Sequence, residues 1–174
     1  MQGPVATGAH MEVRKRRTRV LIVAAGLFAA IALAFTLAPR RSIVTGIHID
    51  APPASVWAVL TDTGAYPAWN PDMMLKGALV PGNVIEHDEG GMVFHPVIVA
   101  ASPARELAWL GHIGPPRFFD ALHWFRMASE DGGTWFTQGE DLRGVLLWVF
   151  DAGQLVPGFQ AMNARLKTRV EHDK

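Results

Sequence analysis

The chain has 174 residues, 49% of them hydrophobic and 18% charged, which suffices for one domain with a packed core. It contains no cysteine, so disulfides, thiolate chemistry and a lipid anchor on a leading Cys are excluded. The formal net charge of zero hides an asymmetry. Residues 1–39 hold five basic side chains (Arg14, Lys15, Arg16, Arg17 and Arg19) against Glu12, while the remainder holds eleven basic against fifteen acidic. The main body is therefore mildly acidic, without a basic stripe or a nucleic-acid motif, and nucleic acid is not an expected partner.

At the N-terminus, residues 1–10 read as unstructured, and both Met1 and Met11 are candidate starts of translation. The basic segment 1–19 leads into an uncharged apolar run of 19 residues, from Val20 to Ala38. As a helix this run measures about 28 Å, the thickness of a bilayer core. A cleavable signal peptide is the rival reading, because the run follows a basic patch. Its length for an h-region, and Pro39 directly after it, favour an uncleaved signal anchor. Arg16-Arg17 resembles a twin-arginine signal, but Arg19 stands where that pattern wants an apolar residue. Five basic residues precede the run and only Arg40 and Arg41 follow it. The positive-inside bias thus predicts a cytoplasmic segment 1–19, a single-pass helix over 20–38 in the cell membrane, and a domain on the extracytoplasmic side.

Ile47 and Ile49 alternate with His48 and Asp50, the period of a half-buried strand. Pro52-Pro53 ends it and suits the first turn of a helix, in which Val56, Trp57 and Leu60 form one apolar stripe. Gly64 and Asn70-Pro71 punctuate a second short helical turn. Six strand candidates follow, at 73–79, 83–87, 91–101, 106–113, 118–128 and 134–143. Turn dipeptides such as Pro81-Gly82, Gly90-Gly91 and Gly132-Gly133 separate them, leaving no room for crossover helices. An antiparallel meander is the expectation. Finally Leu155, Phe159, Met162, Leu166 and Val170 share a helical face, with Pro157 marking a start or a kink. This order predicts an α+β fold, a curved antiparallel sheet wrapped on one long C-terminal helix.

The segment IHIDAPPASVWAVLTDTGAYPAWNP (47–71) resembles the opening of the START-like superfamily, also called SRPBCC. The closer likeness is to its polyketide cyclase/dehydrase and lipid-transport branch. ARELAWLGHI (104–113), His123-Trp124-Phe125, GGTWFTQGEDLRGVLLW (132–148) and FQAMNARLKTRVE (159–171) are similar to that branch as well. The likeness covers residues 42–171. It implies a helix-grip fold with an apolar cavity between sheet and helix, in a superfamily that binds or transfers lipids, hormones and polyketides or acts on aromatic substrates. Fold alone does not settle which.

Strand parity selects the polar residues that matter. Phe119, Ala121, His123, Phe125 and Met127 share one face of their strand, with Asp120 and Arg126 on the other. On the next strand Phe136, Gln138, Glu140 and Leu142 share a face. The resemblance implies that this face also looks inward, placing His123, Gln138 and Glu140 in a largely apolar pocket. Each of the three, taken singly, is more readily a satisfied core group; as a set lining a cavity they are candidates to hold a ligand's polar end. His95 and Trp109, on neighbouring strands, join the candidates, as do Phe125 and, on the closing helix, Phe159 and Met162. His87 is grouped with the loop histidines. Trp69 stands where the family's second short helix borders the cavity mouth. In Gly114-Pro115-Pro116-Arg117-Phe118-Phe119 two phenylalanines follow a stiff turn and are candidates to form a lid or to touch lipid. Trp124 and Trp135 alternate onto the outer face.

No HExxH, Cys cluster, GxSxG elbow or phosphate loop is present, so neither a metal nor another cofactor is expected, and no catalytic residue is assigned. The expected function is binding of a hydrophobic small molecule (a lipid, isoprenoid or polyketide-like compound) by a membrane-anchored domain. The alternatives are a cyclase or dehydratase using an inward Glu/His pair, and an interaction module whose cavity is filled by its own side chains.

Overall fold

The computed structural model describes residues 6–172, with side chains from Met11 onward. The chain divides at Ala38/Pro39 into an N-terminal helical unit and a folded unit. The first holds one helix, α1 (Ala6–Thr36). It begins earlier than expected, since the Arg/Lys cluster, whose residues are good helix formers, extends the apolar helix toward the N-terminus. Residues 6–10, expected to be unstructured, are therefore helical, while residues 1–5 lie outside the described residues. Its stretch Met11–Thr36 is long and apolar enough to cross a bilayer, a property that a signal sequence shares. The large apolar side chains Val20, Leu21, Ile22, Val23, Leu27 and Phe28 are all exposed.

The folded unit opens with β1 (Arg40–Ile49), followed by helix α2 (Pro53–Thr61) and the short helix α3 (Tyr66–Trp69). As expected, Pro53 occupies the first turn of α2, where its missing N–H has no partner to lose. Then come β2 (Met73–Lys76), β3 (Glu86–Glu89), β4 (Met92–Phe94), β5 (Val97–Ser102), β6 (Glu106–Ile113), β7 (Phe119–Glu130) and β8 (Gly133–Arg143). The closing helix is α4 (Val156–His172). It starts immediately before Pro157, and Leu155 belongs to the 3-10 turn that leads into it.

The strands form an antiparallel five-stranded sheet in the order β1-β8-β7-β6-β5 and a separate three-stranded sheet in the order β2-β3-β4. The expected single strand over 91–101 is broken, with β4 ending at Phe94 and β5 starting at Val97. Pro96 has no N–H to give a ladder, so the chain turns there and passes from one sheet to the other. An isolated antiparallel bridge pairs Val97 at the start of β5 with Val84, in the segment before β3.

On the inner face, α4 buries Phe159, Met162, Leu166 and Val170 at helical spacing. Of these, Met162, Leu166 and Val170 meet Ile49, Val56, Leu60, Phe125 and Phe136 in one apolar cluster. Asn163, on the same stripe, donates from Nδ2 to Thr45 Oγ1 on β1 (2.9 Å), while its Oδ1 is buried without a partner among the described residues. Lys167 Nζ donates to the His48 carbonyl (2.8 Å), which helps tie helix to sheet. On the outer face the indole of Trp124 lies over Gly139, where a Cβ would come within 2.3 Å of the ring. Its Nε1 donates to Asp141 Oδ2 (3.2 Å), and the Arg126 guanidinium sits 4.3 Å above the ring. Trp124 thereby completes its own packing on the sheet's outer face.

Candidate ligand-binding site

Between the five-stranded sheet, the β3–β4 hairpin and the start of α4 lies a cavity of about 440 Å³. Its wall is largely apolar: Phe94, Trp109, Phe119, Leu146, Phe150, Leu155 and Phe159 line it, with Met92, His112 and Ile113 on the more exposed side. Phe119, from the stiff Pro115-Pro116 segment, points into this space and meets Phe150 edge-on at 5.5 Å. Four titratable side chains besides His112 face it, namely His87, Glu89, His123 and Glu140.

Register aligns the polar group at the cavity's inner wall. His123 on β7 stands opposite Trp109 on β6 and Glu140 on β8, so the three side chains share one face in a row across the sheet. The His123 ring stacks on Trp109 at 5.0 Å and is flanked by Phe125 (4.8 Å) and Phe159 (4.9 Å). Gln138, one inward position before Glu140, lies 3.1 Å from His123 Nε2 and 3.5 Å from Met162 Sδ through its own Nε2. With the amide donating to both, His123 Nε2 is an acceptor and the ring proton sits on Nδ1. That Nδ1 is 4.0 Å from Glu140 Oε1, too long for a hydrogen bond.

Burial sets the protonation states. It pushes the His123 imidazole down to about 3, with His87 nearby adding to the effect, and the His87 imidazole down to about 4. It pushes the Glu140 carboxyl up to about 7, helped by the negative charge of Glu89. Glu89 itself is raised, by burial and then by Asp72. Opposite charges 4.0 Å apart would favour ionisation of both partners, yet His123 and Glu140 are each displaced toward the neutral form. Desolvation outweighs their attraction, because neither has a hydrogen bond that supports its charged form. At neutral pH the pair is a neutral imidazole beside a carboxyl poised between its two states.

The sequence-derived candidates divide. Trp109, His123, Glu140 and Phe159 line the cavity. Gln138 and Met162 lie behind it, and with Phe159 they line a smaller crevice. Phe125 is fully buried one step further along β7, in the core rather than at the open space. Trp69 also belongs to the core, packed on Tyr66 at 4.8 Å, because the single turn of α3 directs both rings inward. His95, expected on a strand, lies exposed in the β4–β5 break before Pro96, outside the cavity wall. In its place stands His87, which was grouped with the loop histidines. It is buried on β3, edge-on to Trp109 at 5.7 Å, and its Nε2 has no hydrogen-bond partner. The alternation of Ile85 and His87, both buried around half-buried Glu86, is the signal that would have found it.

Residues 40–171 match the family described as polyketide cyclase / dehydrase and lipid transport. No curated protein matches the chain. Among solved structures it is similar to protein MLL2253 from Mesorhizobium loti, at 18% identity and a TM-score of 0.61 over 77% of this chain and 99% of that one. It is similar to CalU16 from Micromonospora echinospora at 22% identity and a TM-score of 0.57, over 75% and 76% of the two chains. The di-domain ARO/CYC BexL from the BE-7585A biosynthetic pathway matches at 18% identity and a TM-score of 0.62, over 93% of this chain and 60% of that one. At these identities the likeness establishes the helix-grip fold.

Proposed function

The chain belongs to the polyketide cyclase / dehydrase and lipid transport family, and from that premise we propose that its 42–171 domain binds a hydrophobic small molecule, of lipid, isoprenoid or polyketide-like character, in the cavity under α4. The observation that carries this reading is the cavity itself, about 440 Å³ of largely apolar space that the protein's own side chains leave open. That volume falls in the range of small-molecule sites and speaks against an interaction module with a filled interior. Burial of apolar ligand surface, at about 25 cal/mol per Å², supplies most of the affinity. The His123–Glu140 group orients the polar end.

The domain is anchored by the helix at 20–38 and works on the extracytoplasmic side, with segment 1–19 in the cytoplasm. The five basic residues before the apolar run support this orientation. A reporter fused after Lys174 is then active only outside the cytoplasm, and recovery of a soluble product beginning near Pro39 would identify a cleaved signal instead. For the binding itself, native mass spectrometry of the detergent-extracted chain should release a co-purified apolar compound. Repeated recovery of an empty cavity that no apolar compound can fill would end the proposal.

A second reading is favoured by one feature. Glu140 is raised to about 7 while His123 and His87 are lowered to about 3 and 4, around one open volume. Displaced acids and bases facing a cavity are what proton-transfer chemistry at a substrate carbonyl requires. If Glu140 is a general base, Glu140→Gln lowers turnover roughly 10²–10⁴-fold with little change in binding. If the protein only binds, a co-purified compound is returned unaltered by the wild type.

A further inference from the structure

The cavity wall carries a polar geometry that discriminates between ligands, an inference that rests on the binding role proposed above. With Gln138 Nε2 as the donor to His123 Nε2, the proton of the neutral imidazole is assigned to Nδ1. Nδ1 faces Glu140 Oε1 across 4.0 Å, and among the described residues no side chain or backbone group hydrogen-bonds the Glu140 carboxyl. A single oxygen atom about 2.8 Å from each, an ordinary hydrogen-bond distance, spans that gap. A hydroxyl does so by accepting from Nδ1–H and donating to the carboxylate. A carbonyl does so by accepting from Nδ1–H and from the protonated carboxyl.

The charges around the cavity set a second condition. Among the described residues that line it, none is Arg or Lys, and the acidic groups Glu89 and Glu140 both face it. Arg165, in the neighbouring crevice, is occupied by Asp72 (2.5 Å) and Asn70 (3.1 Å). An entering carboxylate or phosphate would lose its water, meet two acidic side chains and find no cation. An ammonium would find a carboxylate, but also the Nδ1–H donor pointing at the same spot. We infer that the cavity takes an apolar molecule whose buried end is one uncharged hydroxyl or carbonyl oxygen, bridging His123 Nδ1 and Glu140 Oε1, and that it rejects anionic amphiphiles such as fatty acids and phospholipids.

The test holds the apolar body constant and varies the head. The full-length chain in phosphatidylcholine nanodiscs, with empty discs as blank, is titrated with 2-naphthalenemethanol, 2-naphthoate and 2-naphthylmethylammonium. The expected result is that the alcohol binds at least about tenfold more tightly than either ion. Glu140→Gln, which removes the charge and keeps the shape, is expected to narrow the gap between alcohol and carboxylate. A carboxylate or ammonium that binds as well as the alcohol would overturn the inference while leaving the cavity's binding role intact. Binding of none of the three would overturn both. Because replacing His123 could disturb Gln138, the bridge is read on the wild type through the carbonyl stretch of bound 2-naphthaldehyde. A shift to lower wavenumber than in cyclohexane is expected, and an unshifted band would remove the hydrogen bonds on which the inference stands.

Discussion

Along α4 the space between helix and sheet is resolved in two different ways. Toward its C-terminus, Leu166 and Val170 sit in continuous contact with the apolar cluster that includes Ile49, Val56, Leu60 and Phe136, and α2 packs against the same helix. Toward its N-terminus, Phe159 and the preceding Leu155 face the cavity, and the opposing wall carries His123 and Glu140 in place of aliphatic residues. The same sheet therefore grades along its inner face from Phe136 and Phe125, which are fully buried, to polar groups that burial holds neutral. Polar side chains persist on an inner face where they keep a partner or reach open volume, and this molecule shows both solutions. Asn163 has Thr45, whereas Glu140 has the cavity.

Truncation in each half should break the symmetry between them. Leu166 is fully buried within the filled half, and Leu166→Ala is expected to cost about 2–5 kcal/mol, a cavity penalty that added ligand does not recover. Phe159→Ala removes a larger side chain, yet that ring already borders open space. We expect about 1–3 kcal/mol, below the usual ~3–5 kcal/mol for a packed phenylalanine. An apolar ligand that grows into the vacated volume should restore part of the loss by binding only the native state. Urea denaturation of the full chain, with and without 2-naphthalenemethanol, measures both effects. Equal losses, or equal recovery, would mean that the two halves of α4 are packed alike.

This gradation also explains what could be read from residues alone. The inner faces of β7 and β8 were legible because each is a long antiparallel strand of eleven or twelve residues with clean alternation. The start of α2 was legible because Pro53 marks it. Parity tells which face a residue occupies, but not how deep along that face the packing extends. Phe125 and His123 share parity, yet only His123 reaches the cavity, since the depth is set by where α4 and the 144–155 segment cross the sheet. That is a tertiary property with no local signature. His95 was misplaced for another reason: a strand reading through 91–101 ignored the missing N–H of Pro96. His87 was undervalued because β3 is only four residues long, too short for its alternation to stand out.

A last effect concerns the charge states of the open half and is read as a slope with pH rather than as a single loss. His87 and His123 have folded values of about 4 and 3, below the ordinary histidine value of 6.5. Below pH 6.5 the unfolded chain takes up protons that the native chain refuses, so these groups remove stability as pH falls from about 6.5 toward 4. Glu140 works in the opposite direction. Its folded value of about 7 exceeds the ordinary 4.5, so its contribution is fully present below pH 4.5 and is lost as pH rises through about 7. In the wild type the carboxyl therefore offsets part of the acid sensitivity of the two histidines. Glu140→Gln removes that offset. Its stability relative to wild type should rise as pH is raised from 4.5 to 7, by at most about 1.4 kcal/mol per pH unit, the limit for one titrating group. Urea midpoints for both proteins across this window test it. If His123 and Glu140 instead formed a charged pair, the carboxyl would lie below its ordinary 4.5, and it would take stability from the wild type as pH falls through that lowered value. A flat or falling difference would show that burial does not hold the Glu140 carboxyl above its ordinary value, and would remove the neutral pair on which the contrast rests.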